Sequence, residues 1–170
     1  MPDSEHADYA ATAAQEYWHA RARDFFSDYA DCLDQTRFDE WPTFFRAADC
    51  RYEIRSRENE DLGLPAAIMY CDTHGMIIDR VTMLRKALTY RHMIQRRFIS
   101  NVRVLVHGAG QCTVRANFQL MQTDNDGVTS LFGVGQYRAT LVRADTRIEA
   151  AELIVVLDTF GVDNLLAVPI

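Results

Sequence analysis

The sequence is sparing with the residues that most often carry recognisable chemistry: it has four cysteines, five histidines, four prolines and eight glycines in 170 residues. Cys32, Cys50, Cys71 and Cys112 are far apart, and none forms a CxxC pair of the kind used by zinc or redox sites. They are expected to be reduced, mostly buried thiols that behave as small hydrophobes. No stretch approaches the roughly 18 uninterrupted apolar residues of a membrane span. The start, up to Tyr17, has acids where a secretory signal has Lys or Arg, and it lacks an apolar core segment, so the expected location is cytoplasmic. Positive charge is also in deficit. Eighteen Lys and Arg against 24 Asp and Glu leave a formal charge of -6, which argues against a general nucleic-acid binder.

What is present is apolar and aromatic material, 48% and 11% of the residues. A chain of this size can bury roughly 70% of its unfolded surface in one core. A single domain over residues 1–170 is therefore expected, with 1–8 as a flexible N-terminus. No repeat, low-complexity tract or linker interrupts it.

Tyr17, Phe25, Tyr29, Cys32 and Leu33 recur at helical spacing and predict one long helix from about Tyr9 to Leu33. Thr36 followed by Asp39 reads as a capping box with a shorter acid, ahead of a second helix from Arg37 to Ala47. Pro42 would lie in its first turns, and Trp41 and Phe45, four apart, would anchor it to the core. Cys50, Tyr52 and Ile54 alternate with Arg51, Glu53 and Arg55, the period of a strand. Residues 56–66 read as an exposed loop, and 73–88 as a third helix carrying Met76, Ile77, Val81, Leu84 and Leu88. From there to the C-terminus four segments, 98–107, 111–123, 128–142 and 147–158, are separated by turn signals and predict an antiparallel meander. Such long strands require twist and bends, with Gly133 and Gly135 as candidates. The expected architecture is an α+β cone, helices packed on a long, strongly curved, mainly antiparallel sheet.

That element order resembles the cystatin-like cone of nuclear transport factor 2, ketosteroid isomerase and scytalone dehydratase. More specific are Phe38-Asp39-Glu40-Trp41, Asp49-Cys50-Arg51-Tyr52-Glu53-Ile54 and Arg97-Phe98-Ile99-Ser100-Asn101-Val102-Arg103-Val104. Together these resemble the small (β) subunit of aromatic-ring-hydroxylating oxygenases, from about Tyr17 onward. The family commonly shows Arg-His-Phe-Ile-Ser-Asn-Val here, so in Arg96-Arg97-Phe98 it is Arg97 that stands in place of the histidine. The resemblance implies a non-catalytic partner of a large (α) subunit that holds a Rieske 2Fe-2S cluster and a mononuclear iron, in an α3β3 assembly. A reductase, often with a ferredoxin, supplies NADH-derived electrons through the large subunit. It also implies a small hydroxylated or carboxylated benzene as substrate, as in the benzoate, anthranilate and salicylate group.

The residues themselves agree with a chain that holds no cofactor, metal or active site of its own. A Rieske centre needs two cysteines and two histidines, and a non-haem iron site needs two histidines and a carboxylate. His6, His19, His74, His92 and His107 form no such set. Asp72-x-His74 is the nearest to a ligand pair, but Asp72 or Thr73 serves equally as a helix N-cap. His107 precedes Gly108 and reads as an exposed turn residue. One alternative is a stand-alone cone-fold isomerase or dehydratase, for which Tyr52, Tyr70, Asp79 and His92 are the candidate proton-transfer groups. Another is a dimeric binding module using an open sheet face. Arg91, His92, Arg96, Arg97 and Arg103 make a cationic cluster in an acidic chain. Arg91, Arg96, Arg97 and Arg103 are the candidate interface residues, facing carboxylates of the large subunit. On that reading Arg97→Glu weakens assembly and leaves the fold intact.

Overall fold

A computed structural model describes residues 3–87, 93–108, 110–159, 166 and 168–170. Helix α1 (Asp3–Asp34) starts earlier than Tyr9 and buries Trp18, Ala22, Phe25, Phe26, Tyr29, Cys32 and Leu33 on one stripe. Its end is a Schellman motif. Thr36 takes a left-handed φ of 56°, the Arg37 N–H donates to the Cys32 carbonyl at 2.9 Å, and the Thr36 N–H donates to the Leu33 carbonyl at 3.1 Å. Thr36 thus closes α1 and caps nothing after it. The expected helix from Arg37 to Ala47 contracts to a single 3-10 turn, Trp41–Phe44, with Pro42 at its start. Phe45 is already extended and bridges to Ala150 of the sheet. Trp41 and Phe45 are both buried, so the anchors are correct although the helix is not.

Strand β1 (Arg51–Ser56) follows, and Ser56 then caps a short helix, α2 (Arg57–Asp61), by accepting from the Asn59 N–H at 3.2 Å. The stretch expected to be only loop therefore contains a helical turn. A three-residue strand that sequence reasoning missed, β2 (Met69–Cys71), pairs with β1. Helix α3 (His74–Ala87) begins where the Thr73 hydroxyl accepts from the Met76 N–H at 3.3 Å. Leu88, expected as its last residue, lies outside the described residues.

The meander is present as β3 (Ile94–Val106), β4 (Gln111–Thr123), β5 (Thr129–Ala144) and β6 (Arg147–Leu157). Strand order is β2-β1-β6-β5-β4-β3, with β1 and β6 parallel and the other neighbours antiparallel. The inner face of the sheet joins the α1 and α3 stripes in one core, in an α+β arrangement as expected. Gly135 is required by close approach: a Cβ there would lie 2.0 Å from the Val156 carbonyl oxygen and 2.9 Å from the Phe118 ring.

One irregularity in β3 decides what faces where. Between Ser100 and Arg103 the β3–β4 register shifts, and Asn101 takes φ 52°. A bulge of this kind reverses side-chain parity. Arg97 and Ile99 turn inward before it, Val102, Val104 and Val106 after it. Phe98 and Leu105 end up on the outside, 59% and 63% exposed, together with Arg103.

Candidate subunit interface and the filled cone

The cone interior is occupied by the chain itself. Helix α1 and strand β1 direct Tyr29 and Tyr52 inward, and both hydroxyls donate to the Ile170 carbonyl oxygen, at 3.0 and 3.2 Å. The Ile170 N–H returns a hydrogen bond to the Tyr52 hydroxyl at 3.0 Å, and Trp41 Nε1 donates to the Tyr29 hydroxyl at 3.2 Å. Arg97 Nη2 donates to the Pro169 carbonyl at 2.6 Å. Its Nη1 pairs with Asp34 Oδ1, and its backbone N–H donates to Asp34 Oδ2 at 2.9 Å. Burial pushes the Tyr29, Tyr52 and Tyr137 phenols well above their ordinary value. The interior thus holds neutral phenols and an arginine compensated by Asp34. The Tyr29 and Tyr52 hydroxyls and Arg97 Nη2 donate to the backbone of residues 169–170, while Arg97 Nε and the Tyr137 hydroxyl are buried without a hydrogen-bond partner among the described residues. Such groups are poorly matched to proton transfer near neutral pH.

The residues proposed for independent catalysis are not brought together. Tyr52 is inside. Tyr70 is 46% exposed on the opposite face, where the Arg51 guanidinium lies 5.7 Å from its ring. Asp79 is exposed on α3, and its neighbour Arg80 donates to the Leu166 carbonyl at 3.0 Å. His92 lies outside the described residues.

The donor set does not fit a Rieske cluster or a mononuclear iron. The four cysteines sit on α1, ahead of β1, on β2 and on β4. Burial raises the Cys32 thiol to about 11 and the Cys112 thiol to about 12, so in the free chain both stay protonated at neutral pH, as buried structural cysteines do. Among the described residues no three His, Cys, Asp or Glu side chains cluster as a metal site. Of the nearest sequence candidate, Thr73 caps α3 and His74 Nε2 contacts the Pro42 carbonyl at 3.0 Å. His107 Nε2 lies 3.1 Å from Thr113 Oγ1 in an exposed turn.

The cationic cluster separates into unlike parts. Arg91 lies outside the described residues. Arg96 is exposed, with Nη1 on the Asp34 and Gln95 carbonyls at 3.1 and 2.9 Å. Arg97, grouped with it by sequence, has a fully buried side chain paired with Asp34. It belongs to the core, because the bulge turns it away from the face that carries Arg103. The expectation that Arg97→Glu spares the fold is therefore corrected: that change sets a carboxylate against Asp34 inside the protein.

Arg103 keeps its outward position and gains neighbours that sequence reasoning did not find. It lies directly opposite Arg115 on β4, and Arg115 lies directly opposite Arg138 on β5. Arg138 is held by Glu60 and by Gln136 Oε1 at 3.3 Å. No carboxylate among the described residues pairs with Arg103 or Arg115. These arginines, with Leu105, Thr113 and Glu152, line a groove of about 550 Å³ on the outer sheet face. Beside it runs a compensated network in which buried Glu53 binds Arg51 and Arg55, and Glu60 binds Arg55 and Arg138. Burial works to raise the Glu60 carboxyl, but its two arginines outweigh it and hold the group below its ordinary value.

Comparison with known proteins follows the same lines. Residues 29–162 match the family model described as the ring hydroxylating beta subunit. The chain is 35% identical over 142 residues to the anthranilate 1,2-dioxygenase small subunit of Burkholderia cepacia, covering 84% of this chain and 88% of the relative. It is 30% identical over 146 residues to a beta subunit of the terephthalate 1,2-dioxygenase terminal oxygenase component of Comamonas sp, covering 86% and 94%. A solved β subunit from Novosphingobium aromaticivorans, assigned to an aromatic-ring-hydroxylating dioxygenase, superposes with a TM-score of 0.82 at 36% identity, covering 95% and 99%. A protein of the same organism assigned as a scytalone dehydratase shares the fold alone, with a TM-score of 0.69 at 13% identity over 87% and 89%.

Proposed function

The chain belongs to the ring-hydroxylating β subunits, and from that premise we propose that it assembles and stabilises a large oxygenase subunit while supplying no catalytic group of its own. It is the small subunit of an aromatic-ring-hydroxylating oxygenase, an oxidoreductase whose other component is the large subunit. The observation that supports the non-catalytic role is the filled cone. Tyr29, Tyr52 and Arg97 direct their donors to residues 169–170, and Asp34 neutralises the arginine. A cone isomerase or dehydratase needs that same space for substrate.

The Rieske cluster and the mononuclear iron are assigned to the large subunit, where they supply electron transfer and oxygen activation. Electrons from NADH arrive through a reductase, with or without a ferredoxin. The assembly is read as α3β3 and cytoplasmic, with residues 1–170 as one domain. The substrate class is a small aromatic carboxylate, supported by the anthranilate and terephthalate dioxygenases among the relatives. Of the candidate interface arginines, Arg103 is retained as a direct contact, Arg96 as a flanking one, and Arg97 acts only by holding the fold.

Size-exclusion chromatography with light scattering tests this on the tagged chain co-expressed with the large subunit encoded nearest to it. The expected result is one iron-bearing species containing both chains in equal number, several times the 19.5 kDa of this chain. A tagged chain that elutes without the large subunit refutes the assignment. An equimolar complex of another size refutes only the α3β3 stoichiometry.

A further inference from the structure

We infer that the arginine row on the outer sheet face, centred on Arg103 and Arg115, is a docking site for an acidic segment of the large subunit. The inference rests on the small-subunit reading and adds to it a place on this chain and the chemistry of the contact. Arg103 and Arg115 stand in register on adjacent strands, a juxtaposition of like charges that is unfavourable in an isolated sheet. The same sheet face shows how this chain handles arginines it must keep to itself. Arg51 and Arg55 meet Glu53, and Arg138 meets Glu60. Arg103 and Arg115 are exposed and have no such carboxylate among the described residues, in a chain whose acids outnumber its bases by 24 to 18.

The surroundings favour a protein partner over a polyanion. Leu105, 63% exposed, lies two residues from Arg103 on the same face, and Glu152 lines the groove opposite. A phosphate backbone gains nothing from an exposed leucine, and Glu152 is already paired with Arg51 at 3.5 Å. A protein segment bearing one or two carboxylates and an apolar side chain satisfies both arginines and covers Leu105. Guanidinium forks are well suited to such bidentate carboxylate contacts, and apolar contact beside desolvated charge is how interface hot spots are built.

The test compares R103E/R115E and the milder R103Q/R115Q with the wild-type chain, each co-expressed with the large subunit. Dissociation constants are then measured by biolayer interferometry over a range of salt concentrations. Both positions are exposed, so circular dichroism of the free variants should match the wild type, and the glutamine pair, relieved of the like-charge contact, should melt no lower than the wild type. The expected result is binding weakened about 30-fold or more by the charge reversal, as for loss of an interface hot spot. The glutamine pair should lose less and show a shallower salt dependence. Wild-type affinity in R103Q/R115Q overturns the inference even if the reversal variant misfolds. Release of the large subunit from the wild-type chain by a DNA duplex overturns it in favour of a phosphate site. So does a loss of self-association with large-subunit binding unchanged, in favour of a second copy. If the wild-type chain itself fails to bind the large subunit, the small-subunit reading falls, and that result is distinct from all of these.

Discussion

Replacing Arg97 by Met separates the fold-holding role of this residue from the surface role its sequence neighbourhood suggests. The side chain is fully buried and Asp34 beside it is 10% exposed, so removing the guanidinium leaves a carboxylate with little access to water. Breaking a buried pair from one side costs about 3–5 kcal/mol. The Pro169 carbonyl also loses its donor, which by itself costs roughly 1–3 kcal/mol. The Arg97 backbone N–H still serves Asp34 after substitution, and these costs overlap, so the expected loss is about 3–5 kcal/mol in total. That is a large part of the roughly 5–15 kcal/mol by which a domain is stable. At about 2–4 °C per kcal/mol for a chain of this length, Tm falls by roughly 6–20 °C. Urea unfolding followed by far-ultraviolet circular dichroism on R97M, D34N and the double variant measures the coupling. The double variant should recover part of the loss, because neither charge is then left alone. An R97M chain within about 1 kcal/mol of wild type refutes the buried-pair reasoning.

Three further outcomes follow from geometry and ionisation. Gly135→Ala places a Cβ 2.0 Å from the Val156 carbonyl, so β5 must move from β6 and stability should fall by about 1–3 kcal/mol. Gly133→Ala meets only a Leu157 methyl at 3.2 Å and should cost less; equal melting temperatures contradict the close-approach argument. Glu60 has its folded value below the ordinary carboxyl value of 4.5, so its contribution is full above 4.5 and is lost as pH falls through the lowered value. The stability gap between wild type and E60Q should therefore close on acidification, and a gap independent of pH would exclude the ion-pair role. Tyr29, Tyr52 and Tyr137 are raised above 10.0, so their stabilisation is present below 10.0 and is lost as pH rises through the folded values. In a phenolate absorbance titration three of the seven tyrosines should stay silent past that point until the chain unfolds. Seven equivalent tyrosines would mean an open cone.

Much of the scaffold is legible as local periodicity. The alternation in Gln111–Thr123 marks β4 at its observed ends, and the α1 stripe is visible in Phe25, Tyr29, Cys32 and Leu33. Family membership is legible because its motifs lie on contiguous stretches. A threonine three residues before an acid suits an N-cap, whereas the Schellman motif that Thr36 closes depends on carbonyls one turn earlier. Arg97 and Arg103 read as one cationic cluster in sequence, where charge is visible and the bulge at Ser100-Asn101 is not. The inserted residue that separates them is seen only against the fixed register of β4.

By itself the sequence determined the long elements, α1, α3 and the four strands β3 to β6, that the chain is acidic, and which family it joins. These follow from covalent geometry and side-chain type within a few residues. Only the tertiary structure decided that Arg97 faces Asp34, 63 positions away, that Ile170 fills the cone between Tyr29 and Tyr52, and that Arg103, Arg115 and Arg138 form one row. Those outcomes depend on cross-strand register and on which distant segments bury each other's apolar surface, and no local pattern encodes that alignment.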